Sequence, residues 1–296
     1  MQLETMTLPD GRILEFCRSG PEDASQTLVF HVGTPSAAVV FPHVTDAAAA
    51  RGVGTLSYSR PGHGASTPHP GRTVAEEAAT TAALADHLGV DRFLVAGWSG
   101  GGPAALACAA LLPDRALACC TLASNSPAAE VGPTWFAWFR PEDAEEFHTL
   151  EAPDGAERVR PAFEEAIASD ASLSAEGIVQ GLGVTEVERA ALEGSPGLAE
   201  AITDSIRRAT MQTADGWIDD EAALVRPWGF SVADVRVPVT IRHGELDHLV
   251  RIEHGRWLGE HVAGARTQIF PDGGHTSVAA PFDGVIDDLL EAARGR

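Results

Sequence analysis

The sequence predicts an α/β protein in which a mostly parallel central sheet is flanked by helices. Short apolar runs rich in β-branched residues alternate with alanine-rich helical segments over residues 27–123. The alternation resumes over residues 236–296, whereas residues 125–235 carry apolar residues at helical spacing and no convincing strand. We therefore expect a core formed by residues 1–124 and 236–296, with a helical lid over residues 125–235 inserted after the sixth strand.

The elements before the insertion follow from local signals. Residues 1–20 alternate apolar and polar side chains around Asp10-Gly11, which predicts two antiparallel strands joined by a tight turn. Thr73, followed three residues later by Glu76, matches a helix capping box. The remaining elements are predicted, in chain order, as a strand at 27–31, a helix at 37–51, a strand at 53–58, a helix at 73–88, a strand at 93–96, a helix from 101 and a strand at 116–123.

The elements after the insertion complete the alternating pattern. They are a strand at 237–242, a helix at 252–262, a strand at 267–270 and a helix at 277–293. In open parallel sheets, ligands bind outside the carboxyl ends of the strands. The loops at 32–36, 59–66 and 97–102 are therefore the first places to look for a site.

Composition excludes several classes of function. All 21 basic residues are arginine, so the chain cannot contain a Walker A lysine, a Schiff-base lysine or a pyridoxal phosphate anchor. The formal net charge of -21 argues against nucleic acid or an anionic membrane surface as a partner. The insertion alone holds 22 acidic and 7 basic residues, which we interpret as a solvated surface; attraction of cationic substrates is the alternative.

The chain is expected to be a cytoplasmic protein without cofactor or metal. Its first residues lack the basic and apolar regions of a signal peptide, and no apolar segment is long enough to span a bilayer. Four cysteines show no metal-ligand spacing and are interpreted as buried free thiols: Cys17, Cys108, Cys119 and Cys120. We expect a small-molecule substrate, and a homodimer stays open as the oligomeric state.

Ser99 lies in the most informative stretch, FLVAGWSGGGPAA at residues 93–105. An apolar strand ends there in glycines, and an alanine-rich helix follows within a few residues. Gly97 and Gly101 leave room for a sharp strand-to-helix turn with the serine at its tip, beside the unpaired N–H groups of a helix start. The pattern predicts a nucleophile, although a glycine-rich linker is the alternative for this motif alone.

A serine nucleophile needs a base, and that base needs an orienting group. His275 follows the predicted strand at 267–270, and Asp247 follows the strand at 237–242, so both should lie at the same sheet edge as Ser99. These three residues form the predicted triad. Glu245 and Asp272 are the alternative acids.

The three motifs GWSGG, HGELD and DGGH, in this order at strand ends, resemble those of the α/β-hydrolase superfamily over nearly the whole chain. The resemblance implies an α/β-hydrolase fold with Ser99 as nucleophile, His275 as general base and acid, and Asp247 as the residue that orients the imidazole. Because haloalkane dehalogenases and epoxide hydrolases place aspartate at the nucleophile position, Ser99 argues against both.

The same resemblance implies an oxyanion hole. One donor would be the N–H of Gly100, directly after the nucleophile. HVGTP is similar to the family element H-G-x-P, which implies Thr34 N–H as the second donor and makes the Thr34–Pro35 bond a candidate cis bond. His31 stands one place earlier than the family histidine. YSRPGHGAS is similar to D-x-R-G-x-G-x-S, with Ser59 where aspartate is usual, and we interpret that loop as structural.

Ester hydrolysis through an acyl-enzyme is the predicted reaction. Amide, peptide, thioester or lactone hydrolysis, carbon–carbon bond cleavage, and a lyase or cyclase reaction remain open on the same triad, as does a non-catalytic receptor. Clustered aromatic residues in the insertion suggest an apolar substrate pocket, with Trp98, Trp135 and Trp138 as candidate substrate-binding residues. Burial in the insertion's own core is the alternative for the latter two.

Overall fold

A computed structural model describes residues 3–170, 173–182 and 185–295. Within them, eight strands form one sheet in the order β1-β2-β4-β3-β5-β6-β7-β8. The antiparallel hairpin of β1 (Leu3–Thr7) and β2 (Ile13–Ser19) pairs with β4, and every pairing from β4 to β8 is parallel. The predicted mostly parallel sheet is thereby confirmed.

The remaining strands place the carboxyl ends of β3, β5 and β7 along one edge of the sheet. Apolar, often β-branched side chains bury these strands on both faces, as is typical of parallel sheets. Their bounds are β3 (Gln26–His31), β4 (Val53–Tyr58), β5 (Phe93–Trp98), β6 (Ala116–Leu122), β7 (Val239–Gly244) and β8 (Arg266–Phe270). β7 extends two residues beyond the predicted strand because His243 and Gly244 still pair with β8.

Helices cover both faces of the sheet. On one face α1 (Pro42–Ala49) and α12 (Asp283–Ala292) pack into one apolar cluster. On the other face lie α2 (Glu76–His87), α3 (Gly102–Leu111) and α11 (Ile252–His261).

Three of these helices begin later than predicted. α1 begins at Pro42 rather than at residue 37, because Pro42 has no N–H to donate to Ala38 and disfavours a helical conformation at Phe41, which is extended. α2 begins at Glu76, whose carboxylate accepts the Thr73 N–H at 2.6 Å as in a capping box. α12 begins at Asp283 because residues 275–279 form turns and residues 280 and 281 form bends ahead of it.

The chain between β6 and β7 forms seven helices in the part that the structure describes. They are α4 (Ala128–Val131), α5 (Pro141–Leu150), α6 (Gly155–Asp170), α7 (Ala175–Leu182), α8 (Glu186–Gly194), α9 (Leu198–Thr210) and α10 (Asp215–Val225). α4, α5, α6 and α10 share an aromatic-rich core of their own, whereas α7, α8 and α9 contribute to the core beside α1 and α12.

All four cysteines are buried free thiols, as predicted. None of the helices in the described ranges has both the length and the apolar character that a membrane crossing requires.

Candidate active site

Ser99 sits on a sharp turn between β5 and α3. Its φ of 55° is one of two positive values among non-glycine residues in the described chain, and a 3-10 turn over Ser99–Gly101 leads directly into α3. A Cβ at Gly97 would lie 2.8 Å from Gly102 Cα, and one at Gly101 would lie 2.6 Å from Val32 O. Only glycine fits at these two positions, so the sequence GWSGG forces the serine to the tip of the turn.

His275 and Asp247 meet at the same edge of the sheet. His275 Nδ1 lies 2.9 Å from Asp247 Oδ2, and both side chains are buried. The other carboxylate oxygen, Oδ1, accepts the N–H groups of Leu249 and Val250 at 2.9 and 3.0 Å. Asp247 is therefore fixed by its own loop and holds the imidazole through Nδ1, which leaves Nε2 free to face a substrate.

Electrostatics favour a proton on His275. Burial acts to lower the pKa of His275, but the charge and hydrogen bond of Asp247, with a smaller contribution from Glu188, raise it above the ordinary value of 6.5. Burial likewise acts to raise the pKa of Asp247, but the charge and hydrogen bond of His275, the charge of His243 and the Val250 N–H together outweigh it, so that this pKa is lowered. The pair is thus suited to hold an imidazolium next to a carboxylate.

Ser99 and His275 line the same cavity. Within residues 3–170, 173–182 and 185–295, no hydrogen bond of 3.5 Å or less joins the serine hydroxyl to the imidazole. Such contacts between nucleophile and base are often long before a substrate binds and tighten only in the reactive complex.

The backbone segments that carry the two predicted oxyanion donors lie close together. A Cβ at Gly100 would be 3.4 Å from Thr34 N, which places the backbone after the nucleophile directly against the loop after β3. The Thr34–Pro35 bond is cis. Neighbouring N–H groups at the start of a helix and in a loop are the usual donors for a developing oxyanion.

Arg60 fixes the loop that carries Thr34. Its guanidinium donates to the carbonyls of Val32 and Gly33 at 2.6 and 2.7 Å, and to Thr34 Oγ1 at 2.8 Å. In a trans peptide the C=O and N–H point in opposite directions. By holding the Gly33 carbonyl, Arg60 turns the Thr34 N–H to the side away from the guanidinium.

His31 has no part in bracing that loop. Its ring is buried beside Tyr58, and its Nε2 lies 3.8 Å from Cys108 Sγ. Ser59, which stands where the resemblance has aspartate, donates to Glu15 Oε1 at 2.7 Å and accepts the Ala38 N–H. A buried glutamate from β2 thus supplies a carboxylate next to Ser59.

Asp220 of α10 is the counter-ion of Arg60. Its carboxylate lies 2.6 Å from Arg60 Nη2, and it also pairs with Arg72 and His63. All four side chains are buried. Burial acts to raise the pKa of Asp220, but the charges of Arg60, Arg72 and His63 hold it well below its usual range. A carboxylate of the insertion therefore neutralises the arginine that braces the Thr34 loop.

The three candidate tryptophans occupy different places. Trp98 lines the cavity, and its Nε1 donates to the His275 carbonyl at 3.0 Å. Trp135 is fully buried in the insertion core and donates to the Ser126 carbonyl, while Trp138 packs on the buried ring of His254. Neither of these two belongs to the described cavity wall. Their placement does not support the substrate contact predicted for them, because Trp135 packs in the insertion core and Trp138 packs against His254 of α11.

The cavity beside Ser99 has a volume of about 130 Å³. Its polar side is formed by the residue 32–36 loop, Ser99 and His275. In the part that the structure describes, His275 is the only ionisable side chain on the wall. The apolar side is formed by Phe41, Trp98, Leu182, Ile202, Ile206 and Leu249. Core and insertion thus enclose the cavity together.

The alternative acids lie outside the site. Glu245 and Asp272 are exposed, and Glu245 pairs with Arg256 at 2.8 Å. Arg60, Asp220 and Glu188 contact the site's loops but were missed by the sequence reasoning, except that the loop containing Arg60 was recognised as structural. In the described ranges, no group of three or more His, Cys, Asp or Glu side chains could hold a metal ion.

Comparisons with known proteins identify the fold family. A family model described as the alpha/beta hydrolase fold matches residues 26–279. A comparison with curated proteins found no significant match.

Solved structures of similar fold cover nearly the whole chain. A thermophilic esterase from Thermogutta terrifontis superposes with a TM-score of 0.68 at 19% identity, over 99% of both chains. An enol-lactonase from Burkholderia xenovorans LB400 gives 0.67 at 18% identity, over 98% of this chain and 99% of that one. A bromoperoxidase from Bacillus anthracis gives 0.71 at 16% identity, over 98% and 100%. At these identities the likeness concerns the fold alone.

Proposed function

Because the chain belongs to the α/β-hydrolase fold family, we propose that it is a serine hydrolase that cleaves a small, uncharged ester through an acyl-enzyme. The observation that carries the proposal is the placement of Ser99, at a positive φ on the strand-to-helix turn, in one cavity with an imidazole that Asp247 holds at 2.9 Å. The helices over residues 125–235 act as the lid of this cavity.

In the proposed reaction the Ser99 hydroxyl attacks the ester carbonyl while His275 accepts its proton. The N–H groups of Thr34 and Gly100 bind the resulting oxyanion. As the tetrahedral intermediate collapses, His275 gives the proton to the leaving alcohol, and the acyl group remains on Ser99. His275 then takes a proton from water as that water attacks the acyl-enzyme carbonyl. When the second tetrahedral intermediate collapses, His275 returns this proton to Ser99 Oγ and the acid is released.

The cavity limits the substrate in size and charge. A cavity of about 150 Å³ holds a molecule the size of benzene, so about 130 Å³ suits an acyl group of a few carbons. Its aliphatic and aromatic walls favour an uncharged group, because burying an unpaired charge there is costly.

A fluorophosphonate probe and a series of p-nitrophenyl esters test the proposal. We expect the probe to label wild-type protein but not Ser99→Ala, and we expect acetate and butyrate esters to be cleaved faster than octanoate. Cleavage of long chains alone would contradict the inferred substrate size. Binding of an ester without turnover or labelling would contradict the hydrolase and favour a receptor.

A further inference from the structure

Glu188, near the start of α8, is a fully buried acidic residue of the insertion. Thr185 caps the helix by accepting the Glu188 N–H at 3.2 Å, which sets where the side chain leaves the helix. Its carboxylate oxygens lie 3.1 and 2.9 Å from Thr276 N, the amide that directly follows His275. A carboxylate from the insertion therefore reaches the loop of the candidate general base.

The peptide between His275 and Thr276 is held at both polar atoms by side chains. Trp98 Nε1 donates to the carbonyl of His275 at 3.0 Å, and Glu188 accepts the N–H of Thr276. One of these partners precedes the nucleophile in β5, and the other comes from the insertion. The backbone of His275 is thus fixed independently of the Asp247 contact at its ring.

Gly274 lets the carboxylate come this close. A Cβ at that position would lie 2.8 Å from Glu188 Cδ and 3.0 Å from Cγ, which no ordinary contact allows. The glycine directly before His275 is therefore complementary to a buried glutamate.

We propose that Glu188 is a positioning residue for His275. It fixes the His275–Thr276 peptide, and its negative charge favours the imidazolium that forms when His275 takes the proton of Ser99. The proposal rests on the proposed role of His275 as general base. Two carboxylates would then position His275: Asp247 of the core at its ring, and Glu188 of the insertion at the peptide that follows it.

The charged surroundings of His275 support this role. Asp247 and Glu188 both raise its pKa, whereas His243 and His248, the other titratable groups that interact with it, carry no negative charge. Burial raises the pKa of Glu188, but the Thr276 N–H and the charge of His275 oppose that rise. The negative charge of Glu188 therefore favours the protonated form of His275, and the positive charge of His275 favours the ionised form of Glu188.

Glu188→Gln separates charge from packing, because the amide keeps the size of the side chain and an oxygen that accepts the Thr276 N–H. We expect the pKa of His275, followed by NMR of its ring proton and assigned with His275→Gln, to fall by about one unit. The acid limb of kcat/KM should move to lower pH by the same amount, and kcat should fall about tenfold. Glu186→Gln is the matched control, since Glu186 lies on the same helix with 87% of its side chain exposed.

The outcomes distinguish this proposal from the proposed function. A Glu188→Gln protein whose His275 pKa and kcat/KM profile both stay within about 0.2 units of wild type would overturn the role of Glu188 alone. If no ester is cleaved but the ring titration shifts as expected, the hydrolase is overturned and the positioning of His275 stands. If Glu188→Gln does not fold, Glu188→Ala, which also removes the charge, is titrated instead: a fall of about one unit supports the role of the charge, and a pKa within about 0.2 units of wild type overturns it.

Discussion

Asp220 Oδ2 lies 2.6 Å from Arg60 Nη2, although 160 residues separate them in the chain. The first belongs to the insertion and the second to the loop after β4. Their ion pair is buried, and the same guanidinium of Arg60 donates the hydrogen bonds that fix the Val32 and Gly33 carbonyls.

Asp220→Asn should strongly destabilise the protein. The change leaves Arg60 and Arg72 without their shared counter-charge, and breaking a buried pair in this way costs about 3–5 kcal/mol. Urea unfolding measures the loss. The adjacent Asp219→Asn is the control: burial raises the pKa of Asp219 and one of its oxygens is buried without a partner, so its free energy of unfolding should not fall. Equal losses in the two variants would contradict the network.

Asp247→Asn should lower kcat on a p-nitrophenyl ester by about 10⁴, because the amide no longer holds the imidazole in the required tautomer or stabilises its charge. Glu245→Gln, at an exposed residue of the same loop, should leave kcat unchanged. Turnover of Asp247→Asn within a few-fold of wild type, with an unchanged melting temperature, would show that Asp247 does not orient His275.

The pH profile of kcat/KM should have an acid limb centred above pH 6.5. Only the neutral imidazole can take the Ser99 proton, and the pKa of His275 is raised from 6.5. Activity is therefore lost as pH falls through that raised pKa. Initial rates from pH 5 to 9, corrected for spontaneous ester hydrolysis, measure the limb. A midpoint below 6.5 would mean that burial outweighs Asp247.

Glu221→Gln should stabilise the protein at alkaline pH. Burial, with the nearby charge of Glu146, raises the pKa of Glu221 to about 8. A glutamate in the unfolded chain loses its proton near pH 4.3, so native stability falls as pH rises from about 4.3 to about 8. The variant should melt roughly 10 °C higher than wild type at pH 8 and only about 2–4 °C higher at pH 5. Glu145→Gln, exposed on α5, should show no such difference between the two pH values.

Local signals were sufficient to predict the strands of the sheet, although β5 and β7 each end two residues later than predicted. The turn at Ser99 follows from glycines at positions where the surrounding backbone leaves no room for a Cβ. The loops of Asp247 and His275 lie at the same edge because the strands before them, β7 and β8, are parallel. Both are properties of a few adjacent residues. The late start of α1 could also have been read from Pro42, because proline lacks an N–H and disfavours a helical conformation at the residue before it.

No pattern in the sequence indicated which residues of the insertion contact the core. Asp220 and Glu188 are two of 22 acidic residues there, and nothing in their spacing separates them from solvated neighbours. Their burial depends on how α8 and α10 pack against loops far away in the chain. Trp135 shows the same limit, since its aromatic character fits a pocket wall and an interior equally well.

The attachment of the insertion constrains how such a protein can be re-engineered. Replacing residues 125–235 by the equivalent segment of another hydrolase would keep Ser99, Asp247 and His275, yet it would leave Arg60 and Arg72 as uncompensated interior cations and the Thr276 amide without its acceptor. The segment is therefore not an exchangeable module. A transplant intended to change substrate range would have to carry carboxylates equivalent to Asp220 and Glu188 with it.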